Sequence, residues 1–252
     1  MEAMTGTSVG LLAAGMVAAA FLYACVGHGG ASAYIAAMAI AGVAPAEMRP
    51  MALLLNVLVS SITTYKFWRA GHFRWSIFWP LAIASIPAAY LGGAITLPGS
   101  AFKILVGVML LYAGCQLWWS ARAGDELRPA RKLAIPVAMV VGAGLGVLSG
   151  LTGVGGGIFL SPLLLLFGWA GTRQTSAVSA PFILVNSIAA LAGGFFGKGF
   201  AAMPDYFWIL AVAVLVGGWA GAEYGSRRFA NPLIRRVLAV VLAIAGGKMV
   251  LV

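Results

Sequence analysis

Acidic side chains are almost missing from this sequence. There are six in 252 residues, Glu2, Glu47, Asp125, Glu126, Asp205 and Glu223, each at a terminus, in a connection or near the end of an apolar run. None stands at the centre of a run, where cation carriers and carboxylate proton relays usually hold one, so a cationic substrate is disfavoured. Charge of any sign is scarce: 9% of residues are charged, 62% are hydrophobic, and the mean hydropathy is +0.99. A soluble globule and a disordered chain are both excluded. Only two histidines (His28, His72) and two cysteines (Cys25, Cys115) occur, and no spacing among them and the carboxylates matches a metal, redox or nucleophile motif. The chain is therefore not read as an enzyme, and no catalytic residue, metal or cofactor is expected.

What is present is a series of ten apolar runs, at 7–26, 31–44, 51–67, 77–95, 101–119, 133–151, 158–170, 176–196, 206–222 and 233–252. They are continuous and do not alternate with period two, which predicts membrane helices and excludes outer-membrane strands. The fold class expected is an all-α polytopic protein of a bacterial inner membrane, with the bilayer as a partner. The N-terminus lacks the basic flank of a signal peptide, so the first run is expected to be kept. The second and seventh runs, 14 and 13 residues long, are too short to cross a core about 30 Å thick and read as half-helices or re-entrant segments.

Each short run follows a glycine stretch: GHGGAS at 27–32 and GLTGVGGGIFLSP at 150–162. A shift of 126 residues superimposes Gly27 on Gly153, Gly29 and Gly30 on Gly155 and Gly156, Gly42 on Gly168, and Gly71 on Gly197. The chain is an internal duplication, with a repeat at 1–119, a polar linker SARAGDELRPARK at 120–132, and a second repeat at 133–252.

Basic residues set the orientation. With five segments per repeat, one face collects Lys66, Arg69, Arg74, Arg122, Arg128, Arg131, Lys132, Arg173, Arg227, Arg228, Arg235 and Arg236, and the other only Arg49, Lys103, Lys198 and Lys248. The 12-to-4 split predicts a cytoplasmic linker and both termini in the periplasm. It also accounts for the net charge of +10 without nucleic acid. An odd number of segments per half inverts the second repeat relative to the first, the plan of many secondary transporters, with the site where the repeats meet. Aromatics at 65–68, 73–75, 118–119 and 206–208 read as interfacial anchors.

A helix broken by glycine at membrane depth is tolerated only where protein or a cavity covers the freed backbone. The N–H groups and positive dipole ends of the two short helices then make a site for a small anion. The candidate binding residues are Gly27, His28, Gly29, Gly30 and Ser32 in the first break and Thr152, Gly153, Gly155, Gly156 and Gly157 in the second, with Asn56 and Asn186 from flanking spans. The competing reading is that these glycines only let helices approach closely. His28 either donates to the anion, titrates, or is a neutral residue bonded to a broken-helix carbonyl.

The sequence at 153–157 followed by Pro162, the half-repeat at 27–32, Arg49 and Pro50, Asn56, and RAGHF at 69–73 together resemble the TauE/SafE sulfite exporter family. The resemblance covers nearly the whole chain and implies transport of a sulfur-containing anion such as sulfite or an organosulfonate. The first half departs from the pattern at Ala31 and Ala36, where the second has Gly157 and Pro162. The expectation is an exporter working by alternating access. An anion channel, a proton-coupled importer and a non-transporting scaffold stay open, as does homo-oligomerisation.

Overall fold

In a computed structural model the described residues are 6–120, 131, 133–199, 203–227 and 232–251, so nearly all of the 120–132 linker lies outside them. Ten helices follow one another: α1 (Gly6–Cys25), α2 (Ala31–Ile40), α3 (Pro45–Arg69), α4 (Trp75–Ala94), α5 (Gly99–Ser120), α6 (Ile135–Thr152), α7 (Gly157–Leu166), α8 (Thr172–Lys198), α9 (Phe207–Arg227) and α10 (Pro232–Leu251). No strand occurs among the described residues. Among the described residues seven helices, α1, α3, α4, α5, α6, α8 and α9, are long and apolar enough to cross a membrane. α2 and α7 have ten residues each, about 15 Å of helix, half of a bilayer core.

The short helices are cut at both ends by glycine. Gly30 (φ 102°) and Gly156 (φ 75°) precede them, and Gly42 (φ 80°) and Gly168 (φ 67°) follow them. Those positive φ values cost an L-residue roughly 1–2 kcal/mol, which is why glycine stands there. The C-terminal turns are the same structure twice. N–H groups of Ala41, Gly42 and Val43 donate to the carbonyls of Ala37, Ala39 and Met38, and those of Phe167, Gly168 and Trp169 to Leu163, Leu165 and Leu164. Every donor and acceptor is offset by 126 residues. After α3 and α8 the positive-φ glycines are Gly71 and Gly199, not Gly71 and Gly197. α8 starts 127 residues after α3 and ends 129 after it, and Gly199 is the first residue past its helix where Gly71 is the second past α3.

α1 packs on α9 and α4 on α6; α3 meets α9 and α4 meets α8; α2 lies on α10 and α5 on α7; α3 pairs with α8 and α5 with α10. Exchanging the two sequence halves turns this set of pairs into itself. All eight pairs join one half to the other, so the halves interlock.

Two of these contacts are glycine seams. Gly142, Gly146 and Gly150 of α6 lie on the carbonyls of Leu81, Ser85 and Ala89 of α4, and Gly217, Gly221 and Gly225 of α9 on those of Val17, Phe21 and Cys25 of α1. A methyl group at any of the six would strike the facing backbone oxygen. Small residues at a four-residue spacing bring helix backbones together in a bilayer, where apolar burial gives little net drive.

One partly buried charge pair ties α3 to α9. Lys66 of α3 donates to Glu223 of α9, which also pairs with Arg227, and the Lys66 ammonium sits 4.2 Å from the centre of the Trp219 ring. Glu223→Gln is expected to lower the melting temperature in detergent, because it leaves Lys66 partly buried without its counter-ion. A Lys66→Met, Glu223→Leu double variant should recover the loss, and unchanged melting in the single variant would show the pair to be without structural weight.

Candidate functional site

The two glycine breaks meet. The side chain of Asn56, fully buried in α3, is wedged between them: its Oδ1 accepts from the N–H of Ala31 at the start of α2 (3.3 Å), and its Nδ2 donates to Ser187 Oγ of α8 (2.9 Å). Gly29 and Gly155 both face this amide closely enough that a Cβ on either would collide with it. Asn56 thus uses the α2 N–H that an anion would otherwise take.

His28 reaches across the contact between halves. Its Nε2 lies 2.7 Å from Ser161 Oγ and 3.2 Å from the carbonyl oxygen of Gly157, both on α7. Ser161 Oγ is in turn 2.9 Å from Ser179 Oγ on α8, and Ser176 Oγ donates to the carbonyl of Val26 (2.9 Å). A hydroxyl-rich wall from the second half therefore receives the first break. The histidine is 5% exposed.

A cavity of about 50 Å³ runs down to this wall. At roughly 10–15 Å³ per water it holds about four water molecules, the scale of one small ion. His28, Ser161, Thr175, Ser176, Thr172 and Gln116 supply its polar lining, and Val26, Ile158, Pro162 and Leu165 its apolar lining. Thr175 is 3% exposed and its hydroxyl has no hydrogen-bond partner. Threonine in a helix commonly bonds back to the carbonyl four residues earlier. A buried hydroxyl left without a partner costs about 1–3 kcal/mol, and this one stands on the wall of the cavity.

The candidates sort into three groups. Gly29 and Gly155 meet at Asn56, and His28, which lines the cavity, meets Gly157, whereas Gly27 faces Ser176, Gly30 faces Tyr34, Gly153 faces Arg49 and Gly156 faces Phe182. Ser32 instead donates to Tyr23 on α1 (2.7 Å), and Thr152 closes the end of α6, donating to Leu148 and accepting from the N–H of Val154. Asn186 bonds back to the carbonyl of Phe182 (2.8 Å) within α8 and leaves its Oδ1 buried without a partner. It does not pair with Asn56; Ser187 does.

Ser161, Thr175, Ser176, Ser179 and Gln116 were not legible as site residues. A signal existed: Thr172, Thr175, Ser176 and Ser179 recur at i, i+3, i+4 and i+7, one helical face. It was divided because hydropathy alone starts this span at 176, one turn after α8 begins. Arg49, which the sequence marks as a topological charge and as part of the family resemblance, donates from its guanidinium to the carbonyls of Gly92, Gly93 and Ile95.

Short broken helices crossing inside a polytopic bundle, with a polar cavity ending at the crossing, define the class of membrane transporters. Within that class the chain belongs to the TauE/SafE family, whose model, described as "Sulfite exporter TauE/SafE", matches residues 11–249. It is 38% identical over 250 residues to the "probable membrane transporter protein y4hK" of Sinorhizobium fredii, covering 98% of this chain and 99% of that one. It is 25% identical over 205 residues to the "probable membrane transporter protein ORF9" of a Sinorhizobium species, with 80% and 76% covered. No solved structure matches. Family and relatives are transporters and not enzymes.

Proposed function

We propose that this protein is a secondary transporter that exports a small sulfur-containing anion, sulfite or an organosulfonate, by alternating access between two inverted repeats. The observation that carries this reading is the cavity ending at His28 and Ser161, with the unpartnered hydroxyl of Thr175 on its wall. Hydroxyl donors and one histidine suit an oxyanion, and no carboxylate lines the cavity to repel it. The cavity lies between the C-terminal end of α5 and the N-terminal end of α8, whose second residue is Arg173. The positive-inside rule assigns those ends to the cytoplasm, so this conformation is the inward-facing one. An anion leaving through the opposite face is driven out by a negative interior at about 2.3 kcal/mol per 100 mV.

The bodies that move are set by the seams. The close glycine contacts make α1 with α9, and α4 with α6, the stiff pairs, each spanning both halves. Rocking of the repeats is therefore expected to move these pairs across α3 and α8.

Sulfite flux in proteoliposomes under a set membrane potential tests the proposal. Saturable, potential-sensitive flux supports it, and its absence from folded protein with sulfite, taurine and sulfoacetate alike would sink it. A second reading is favoured by His28 at the cavity floor: import of the anion with a proton. Flux driven by an imposed pH gradient and lost in His28→Gln would favour that reading over potential-driven export. Topology is checked separately. A single cysteine at Ala123 is expected to resist an impermeant thiol reagent added from the periplasm, and labelling from that side would reverse the orientation.

A further inference from the structure

The cavity has a counterpart on the other side of the crossed breaks, and there it is shut. Ser32, Ile35 and Ala36 stand 126 residues before the lining residues Ile158, Ser161 and Pro162, and all three are at most 2% exposed. Helix α2 lies against α10 where α7 lies against α5. Helix α8 starts 127 residues after α3, and at that offset Arg49 takes the place of Ser176. A Cβ on Gly27 would come within 2.6 Å of Ser176 Cβ, and a Cβ on its partner Gly153 within 3.0 Å of Arg49 Cγ. Ser176 and Arg49 thus occupy one position in the two halves, each against its break. The open side has a neutral hydroxyl there, and the closed side has a guanidinium.

Arg49 is engaged with backbone. Nη1 donates to Ile95 O (2.8 Å) and Nη2 to the carbonyls of Gly92 and Gly93 at the end of α4, while Nε is buried with no partner. Capping a helix C-terminus explains three of these bonds. It explains neither the place against the second break nor the unused donor. A guanidinium presents a fork of donors that fits an oxyanion better than it fits scattered carbonyls.

We propose that Arg49 is the anion-contacting residue of the cavity on the face closed in this structure, exchanging the α4 carbonyls for the transported anion when that face opens. The proposal rests on the alternating-access reading of the preceding section. It makes the two openings chemically unequal, a fixed cation on one side and hydroxyls with His28 on the other. Transport then passes the anion between a charged and a neutral set of donors.

The test follows Arg49 itself. In a chain carrying Cys25→Ala and Cys115→Ala, cysteines at Gln116 and Leu165, both lining the open cavity, are joined by a short bifunctional thiol reagent. Modification of Arg49 by a phenylglyoxal reagent is read by peptide mass. Closing the open cavity shifts the population to the opposite state, so Arg49 should react at least about fivefold faster after cross-linking. In uncross-linked protein that carries sulfite, sulfite at about ten times its half-saturating concentration should slow the reaction about tenfold, as acetate should not. An unchanged rate after cross-linking makes Arg49 a fixed helix cap and overturns the proposal. Faster reaction without protection by sulfite overturns the anion contact. Wild-type protein that moves none of the anions above overturns the preceding reading, and the anion contact with it; the cross-linking result needs no substrate and keeps the two failures apart.

Discussion

Thr175→Val is expected to cut sulfite transport about tenfold or more while leaving the protein as stable as before or more so. The substitution keeps the shape of the side chain and removes a buried hydroxyl that has no partner in the protein. Relieving that desolvation stabilises the fold by up to about 1–3 kcal/mol, whereas a lost hydrogen bond to an anion costs transport about 1.5–3 kcal/mol. The effect should fall on KM for sulfite at the face where the cavity opens. Ser161→Ala is the companion, since it removes the group shared by His28 and Ser179 and should lower flux with a small loss of stability. Transport kinetics and thermal unfolding of the same preparations decide the matter. Wild-type flux in Thr175→Val, or parallel loss of flux and stability, would remove the hydroxyl from the site.

The crossing of the breaks gives the second large effect. Gly155→Ala and Gly29→Ala should both abolish transport, but for different reasons that a double variant separates. At Gly155 the backbone has φ 79°, and a Cβ would also meet Ile183 Cγ2 at 2.9 Å and Ser187 Oγ at 3.0 Å. Strain of roughly 1–2 kcal/mol adds to overpacking of roughly 1–3 kcal/mol, and nothing simple relieves it. Gly29 has no positive φ, and its closest obstacle is the Asn56 amide. Asn56→Ala alone leaves Ser187 and the Ala31 N–H without their partner. The Gly29→Ala, Asn56→Ala pair should therefore be more stable than the sum of the single losses by about 0.5–3 kcal/mol. Coupling of Gly155→Ala with Asn56→Ala should be smaller, because removing the amide leaves the positive φ and the contacts with Ile183 and Ser187 in place. Additive losses at Gly29 and Asn56 would mean that the amide is not wedged between the breaks.

These expectations depend on contacts of very unequal legibility. The glycine breaks are written locally. Gly30 and Gly156 stop a helix because their own φ is positive, and an apolar run of ten residues cannot cross the bilayer whatever surrounds it. The offset of 126 in sequence reappears unaltered in the hydrogen bonds that end α2 and α7. The glycines of α6 and α9 were equally visible, and the close-packing alternative for glycine applies to them and not to the breaks alone.

The site was legible in part. His28 stands out because it interrupts a glycine stretch with the one titratable ring at that depth, and the structure puts it at the cavity. Asn56 and Asn186 looked alike as amides in flanking spans. One bridges two breaks and the other bonds to its own helix, a difference of register on α3 and α8, helices of unequal length, that the sequence offset does not resolve.

Sequence by itself determined the class of molecule, its ten helices, the duplication and the position of the two breaks, because hydropathy and backbone conformation are properties of neighbouring residues. Only the tertiary structure decided that the halves interlock, that Ser161, Thr175 and Ser176 face His28, and that Arg49 stands where Ser176 does. Those contacts join residues as far apart as 133 positions. They are selected by which helix faces fit together, and no local pattern carries that information.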